Sequence, residues 1–147
     1  MKEIDYAWLS GIVDGEGCIT IFRRTNKSSN GNTIISPAAS ATITNTNCLM
    51  LEKCIKIFDD VGIKYSYLNP RNSNTRKVMR VQIRNYDSLK KFVSIMKPYL
   101  VAKKKQLEIL EEFLLEAEKS RSKERSFRKM SLLEEIQKEN KYGSQIL

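Results

Sequence analysis

Residues 9–17 read Leu-Ser-Gly-Ile-Val-Asp-Gly-Glu-Gly, LSGIVDGEG, and the fold follows from how this stretch divides. Upstream, Asp5 can cap a short helix over Asp5–Val13, with Trp8, Leu9, Ile12 and Val13 at helical spacing. Gly15 and Gly17 interrupt it, and Cys18–Arg24, CITIFRR, continues as a β run. The polar stretch Thr25–Asn32 reads as a hairpin connection, and Thr33–Thr44 as a second strand. Pro37 within it argues for an edge position or a bulge. A helix over Asn47–Val61 ends at Gly62, and two β runs, Lys64–Leu68 and Lys77–Arg84, flank the turn NPRNSNT. Asp87–Met96 is helical by period, and Pro98 restarts a longer helix to about Ala117. Residues 118–129 are highly charged, and Leu132–Glu139 allows a last short helix. The expected fold is α+β, αββαββα with a four-stranded antiparallel sheet and C-terminal helices. One domain over residues 1–147 is expected, with 118–147 a charged extension of it.

Composition narrows the function. Twenty-six Lys and Arg against seventeen Asp and Glu give a net charge of +9, which favours a polyanionic partner. No apolar run approaches the roughly 20 residues of a spanning helix, so no membrane partner is expected. Met1–Tyr6 has two acids and no apolar core, unlike a signal peptide. Cys18, Cys48 and Cys54 form no CxxC pair, which suits a reducing, intracellular setting, whether organelle or prokaryotic cytoplasm. There is no histidine. That excludes Ser-His-Asp and Cys-His catalysis and the usual zinc sites, leaving carboxylates, lysines and oxygen-ligated metal to carry any chemistry.

LSGIVDGEG resembles LAGLIDADG, the signature of the homing endonucleases named after it. Leu9, Gly11, Asp14 and Gly17 match outright, Glu16 replaces an acid with an acid, and the remaining exchanges are small or apolar. The order of elements matches from about residue 5 to residue 117. The resemblance implies a single-motif, homodimeric, intron-encoded nuclease that cuts a long pseudo-palindromic DNA duplex and leaves short 3′ overhangs. It implies Mg²⁺ as cofactor, with Mn²⁺ able to substitute, held by the Glu16 carboxylate and faced by the Gly15 carbonyl. Asp14 is read as structural, bracing the turn. In KPYLVAKKKQ (97–106) the spacing from Pro98 selects Lys103 as the family's active-site lysine, although Lys103, Lys104 and Lys105 also suit a merely solvated run. In ITNTN (43–47), Asn45 matches the polar residue that holds the nucleophilic water. The motif also makes physical sense. Trp8, Gly11, Ile12 and Gly15 share one helix face, and the two glycines allow close approach of a second copy about a twofold axis. That crossing brings two Glu16 carboxylates together, which a divalent cation would neutralise.

A four-stranded sheet offers one face to the helices and one to a ligand. Alternation places Ile19, Ile21, Met79, Val81 and Ile83 inward, and Thr20, Phe22, Arg24, Asn26, Arg80, Gln82 and Arg84 outward. Ser40 and Thr42, with Tyr65, Tyr67, Asn69 and Arg71, would extend that surface. Arg and Gln carry donors suited to guanine and adenine edges in the major groove, and cations within Lys119–Lys129 would meet phosphates. A dimer then spans about two helical turns, roughly 20 bp. Two further readings stay open on the same fold: an intron maturase acting on its own intron RNA, and a non-cleaving DNA-binding protein.

Overall fold

The computed structural model describes residues 2–27, 29–68, 78–119 and 123–145. Among these, the elements run α1 (Lys2–Glu16), β1 (Gly17–Lys27), β2 (Thr33–Asn45), α2 (Cys48–Val61), β3 (Ser66–Leu68), β4 (Met79–Ile83), α3 (Tyr86–Met96), α4 (Lys104–Glu118) and α5 (Lys123–Gln145). The strands form one antiparallel sheet in the order β1-β2-β4-β3. Ile19, Ile21, Ala39, Ala41, Ile43, Met79, Val81 and Ile83 are buried in one core cluster with Leu9 and Val13 of α1, Phe58 of α2, Phe92 of α3 and Leu110 of α4. The architecture is the α+β arrangement expected from the sequence, with helices against one sheet face.

The boundaries differ in instructive ways. Helix α1 runs through Gly15 instead of stopping at it, because a glycine inside a helix costs only about 1 kcal/mol relative to alanine. It ends at Glu16, where Gly17 turns the chain back onto the helix. A Cβ on Gly17 would lie 2.8 Å from the Val13 carbonyl oxygen and 2.9 Å from its Cα, so only glycine fits this crossing. Strand β4 pairs residues 41–45 of β2, while Pro37 lies opposite Arg23 of β1 beyond that ladder. This is the local edge that proline tolerates. Helix α2 begins where the Asn47 side chain accepts from the Met50 amide, and ends at Gly62 with φ 85°.

Pro98 does not open α4. It sits in the trailing turn of α3, where the Tyr99 and Leu100 amides donate to the Met96 carbonyl, and Leu100 is buried. Helix α4 starts six residues later, at Lys104. The C-terminal segment is likewise more than a charged extension with a short helix. Helix α5 is 23 residues long, and Leu132, Leu133 and Ile136 are completely shielded from solvent in the core. Strand β1 is a sheet edge, and α5 covers it: the Asn140 amide donates to the Ile19 carbonyl at 3.1 Å.

Candidate active site

The motif helix turns Leu9, Ser10 and Val13 into the core and leaves Gly11, Gly15 and Glu16 exposed, with Trp8 and Ile12 half-buried. A Cβ added at Gly11 or Gly15 would meet no atom within 4 Å. Of the motif's three glycines, Gly17 alone is therefore required by packing within the chain.

Asp14 does brace the fold, over a longer sequence distance than its own turn. One carboxylate oxygen accepts the Val101 amide and the other the Lys103 amide, each at 3.0 Å. This supplies acceptors for amides at the start of α4, where the cap residue Lys103 offers no side-chain bond. In return the Lys103 ammonium donates to the Asp14 carbonyl at 2.6 Å. This contact lies at the C-terminal end of α1, where carbonyls without helical partners and the helix dipole both favour a cation. Lys103 is thereby singled out from Lys104 and Lys105, both of which are exposed.

Glu16, the last residue of α1, makes no side-chain hydrogen bond or ion pair among the described residues. No group of three His, Cys, Asp or Glu side chains that could hold a metal ion occurs among them either. With Asp14 engaged by two amides, the oxygen donors at this helix end are the Glu16 carboxylate and the terminal carbonyls, Gly15's included. Such hard oxygen donors fit Mg²⁺, an ion usually held by one or two carboxylates together with water and substrate phosphates. Asn45 ends β2, two residues past Ile43, the partner of Gly17. Its Oδ1 accepts the Asn47 amide at 2.8 Å, so the side chain is fixed at the same end of the sheet as the motif.

The outward sheet face is arranged in rows. Cys18 pairs with Thr42, which pairs with Gln82, which pairs with Ser66; Thr44 pairs with Arg80, which pairs with Leu68. Cys18, Thr42, Thr44, Arg80 and Gln82 of these rows line an open groove of about 450 Å³, together with Thr20, Phe22, Ser40 and Arg84. Arg24, Arg80 and Arg84 are exposed, and Gln82 is half-buried. Several expectations need correction here. Tyr67 pairs with the inward-facing Val81, and Tyr65 packs on the core with its ring 6.1 Å from that of Phe58. Both tyrosines thus belong to the helix face, because the third strand begins at Ser66 and its register sends Ser66 and Leu68 outward. Ser40 lies on the outward face, yet it is only 2% exposed. Asn69, Arg71 and the Asn26 side chain lie outside what the structure describes. Of the cations in Lys119–Lys129, Lys119 pairs with Glu116, Arg128 with Glu112 and Glu135, and the Lys129 ammonium lies over the Phe113 ring, while Arg121 and the side chains of Lys123 and Arg125 lie outside the described residues. Lys119, Arg128 and Lys129 are thus engaged by residues of α4 and α5.

Ion pairs among the described residues join side chains of α3, α4, α5 and their flanks. The sheet carries none, and one sequence signal would have disclosed this. Residues 17–51 and 62–86, which contain every strand, include no Asp or Glu at all. Arg80 and Arg84 therefore line the groove without an acidic neighbour in the strand segments to compete with an anionic ligand.

Comparison with known proteins agrees with this geometry. The family model described as LAGLIDADG endonuclease matches residues 9–113. Among curated protein sequences none matches the chain. Solved homing endonucleases share the fold. I-CvuI in complex with its target superposes with a TM-score of 0.76 at 17% identity, covering 94% of this chain and 83% of that one. The archaeal intron-encoded I-Vdi141I complexed with DNA gives 0.75 at 17% identity, covering 95% and 86%. I-TnaI gives 0.70 at 18% identity, covering 94% and 97%. With the motif, the fold and the family match in agreement over most of its length, the chain belongs to the LAGLIDADG endonuclease family.

Proposed function

We propose that the chain is a site-specific homing endonuclease that cuts both strands of a long pseudo-palindromic duplex as a homodimer, leaving short 3′ overhangs. One observation carries the reading: α1 exposes Gly11 in its interior and Gly15 in its last turn, neither packed against any described residue, and the same helix ends on Glu16, which has no side-chain partner among the described residues. An interior glycine such as Gly11 destabilises a helix by about 1 kcal/mol relative to alanine. A close crossing with a second α1, through Trp8, Gly11, Ile12 and Gly15, offsets that loss and brings two Glu16 carboxylates together.

Each residue then has a distinct task. Glu16, with the Gly15 carbonyl, would hold Mg²⁺ or Mn²⁺. When bound, the cation supplies Lewis-acid stabilisation of charge on the phosphate and on the leaving oxygen. Asp14 holds Lys103 in place, and the Lys103 ammonium stabilises charge building on the phosphate. The Asn45 amide orients the attacking water. Thr20, Phe22, Arg24, Thr42, Arg80, Gln82 and Arg84 form the surface that enters the major groove of one half-site. The test is a cleavage selection from a randomised duplex library with Mg²⁺, which is expected to recover one pseudo-palindrome of roughly 20 bp, two half-sites about one turn apart. Recovery of no sequence, cut or bound, would overturn the reading.

A further inference from the structure

Phe22 on β1 and Arg84, one residue beyond β4, belong to strands separated by β2. Neighbouring strands lie about 4.8 Å apart, so these two backbones are roughly 10 Å apart. Their side chains nevertheless meet: the Arg84 guanidinium carbon lies 5.5 Å from the Phe22 ring centroid. The intervening strand makes this possible with small outward residues. Ala38 sits opposite Phe22, and Ser40 sits opposite Thr20. Continuing the Ala41–Ile83 ladder by one step sets Ser40 beside Arg84. The bridge above it accounts for Ser40 being 2% exposed on a face turned away from the helices.

Nothing acidic competes for this guanidinium. Arg84 has no ion pair among the described residues, and the strand segments contain no Asp or Glu. Arg84 remains exposed and lines the groove. A guanidinium is planar, so its five N–H groups form one rigid fork, and the ring beside it limits how that fork can turn. That fork matches two coplanar acceptors on a flat partner, which on a duplex are O6 and N7 of guanine.

The geometry points to Phe22 as a positioning residue that prearranges Arg84 to read one guanine in each half-site, with Ser40 as the floor of the bridge. The inference rests on the endonuclease reading above. Ordering an arginine before binding reduces what the contact loses in side-chain freedom, so Phe22 contributes to discrimination at a base that Arg84 touches.

The experiment uses the full chain with Mg²⁺ and profiles base preference at every position of the selected site. Wild type is compared with Arg84→Lys, Phe22→Leu and Phe22→Tyr. Arg84→Lys is expected to lower the preference for guanine roughly 10-fold or more at one position per half-site. Phe22→Leu is expected to lower it about 2- to 5-fold at the same position, and Phe22→Tyr to keep it. A Phe22→Leu effect at a different position, or equal weakening across all sequences, overturns the inference. So does unchanged guanine preference in Arg84→Lys, a variant on solvated surface whose result stands even where Phe22→Leu unfolds. A wild type that selects no duplex overturns the endonuclease reading along with it; a selected site with unaltered profiles overturns this inference alone.

Discussion

Replacing Gly11 with leucine separates the stability of the chain from the assembly of the active site. Gly11 lies inside α1, and a Cβ built there meets nothing within 4 Å. Leucine can therefore be housed by one chain without strain. It is a good helix former, whereas glycine is about 0.8–1.0 kcal/mol worse than alanine. The chain should gain about 0.8 kcal/mol, or roughly 2–3 °C in melting temperature for a protein of this size. A leucine between two crossing helices cannot keep the close approach that glycine permits. Gly11→Leu should thus be monomeric at micromolar concentration and lose at least about 100-fold in double-strand cleavage, since each chain has one Glu16. Analytical ultracentrifugation with melts at several protein concentrations measures both quantities. Wild type should melt at temperatures that rise with concentration, as linked dimerisation requires, and the variant should not. A Gly11→Leu protein that still sediments as a dimer and still cuts would refute the helix-crossing argument. A variant that melts well below dilute wild type would refute the claim that the Gly11 face is open within the chain.

Three other outcomes follow from the same structure. Asp14→Ala removes two charge-assisted bonds to backbone amides; allowing for partial exposure, it should cost about 2–3 kcal/mol and slow cleavage more than it weakens DNA binding, whereas a denaturant midpoint matching wild type would show that the clamp is idle. Leu133→Ala, in the fully buried stripe of α5, should cost about 2–5 kcal/mol, and a change under about 0.5 kcal/mol would mean that α5 does not belong to the core. Burial pushes the Cys54 thiol up from 9.0 to about 11, so its contribution to stability is complete below pH 9 and is lost as pH rises through 11; at pH 8.5 iodoacetamide should label exposed Cys18 and Cys48 while sparing Cys54 until the chain unfolds, which intact mass spectrometry counts directly.

Some of this was legible in the residues and some was not. The order of helices and strands came from periodicity and from Gly62, because those signals are local. Helix ends were misplaced where a distant contact decides them. Pro98 is a common first helical residue, but α4 waits until Lys104 because Asp14, far away in sequence, holds the Val101 and Lys103 amides. The sequence suggests only a charged extension with one short helix here because the apolar stripe of α5 is narrow, Leu132, Leu133 and Ile136 among charged neighbours. The motif pointed to Glu16 and a glycine face, which the structure leaves exposed, and alternation sorted the described residues of β1 and β4. Alternation failed for Tyr65 and Tyr67, since a three-residue strand carries no period of its own and its register is set by β4. The burial of Ser40 on the outward face could not be read from the alternation of its strand.

The most direct measurement of the central claim compares wild type with Glu16→Gln on the selected duplex, scoring Mg²⁺-dependent cleavage and binding side by side. The account predicts that Glu16→Gln binds the same sequence with similar affinity and cuts neither strand. Cleavage by Glu16→Gln at the wild-type rate would contradict it, and the metal site would then have to be sought away from the end of α1.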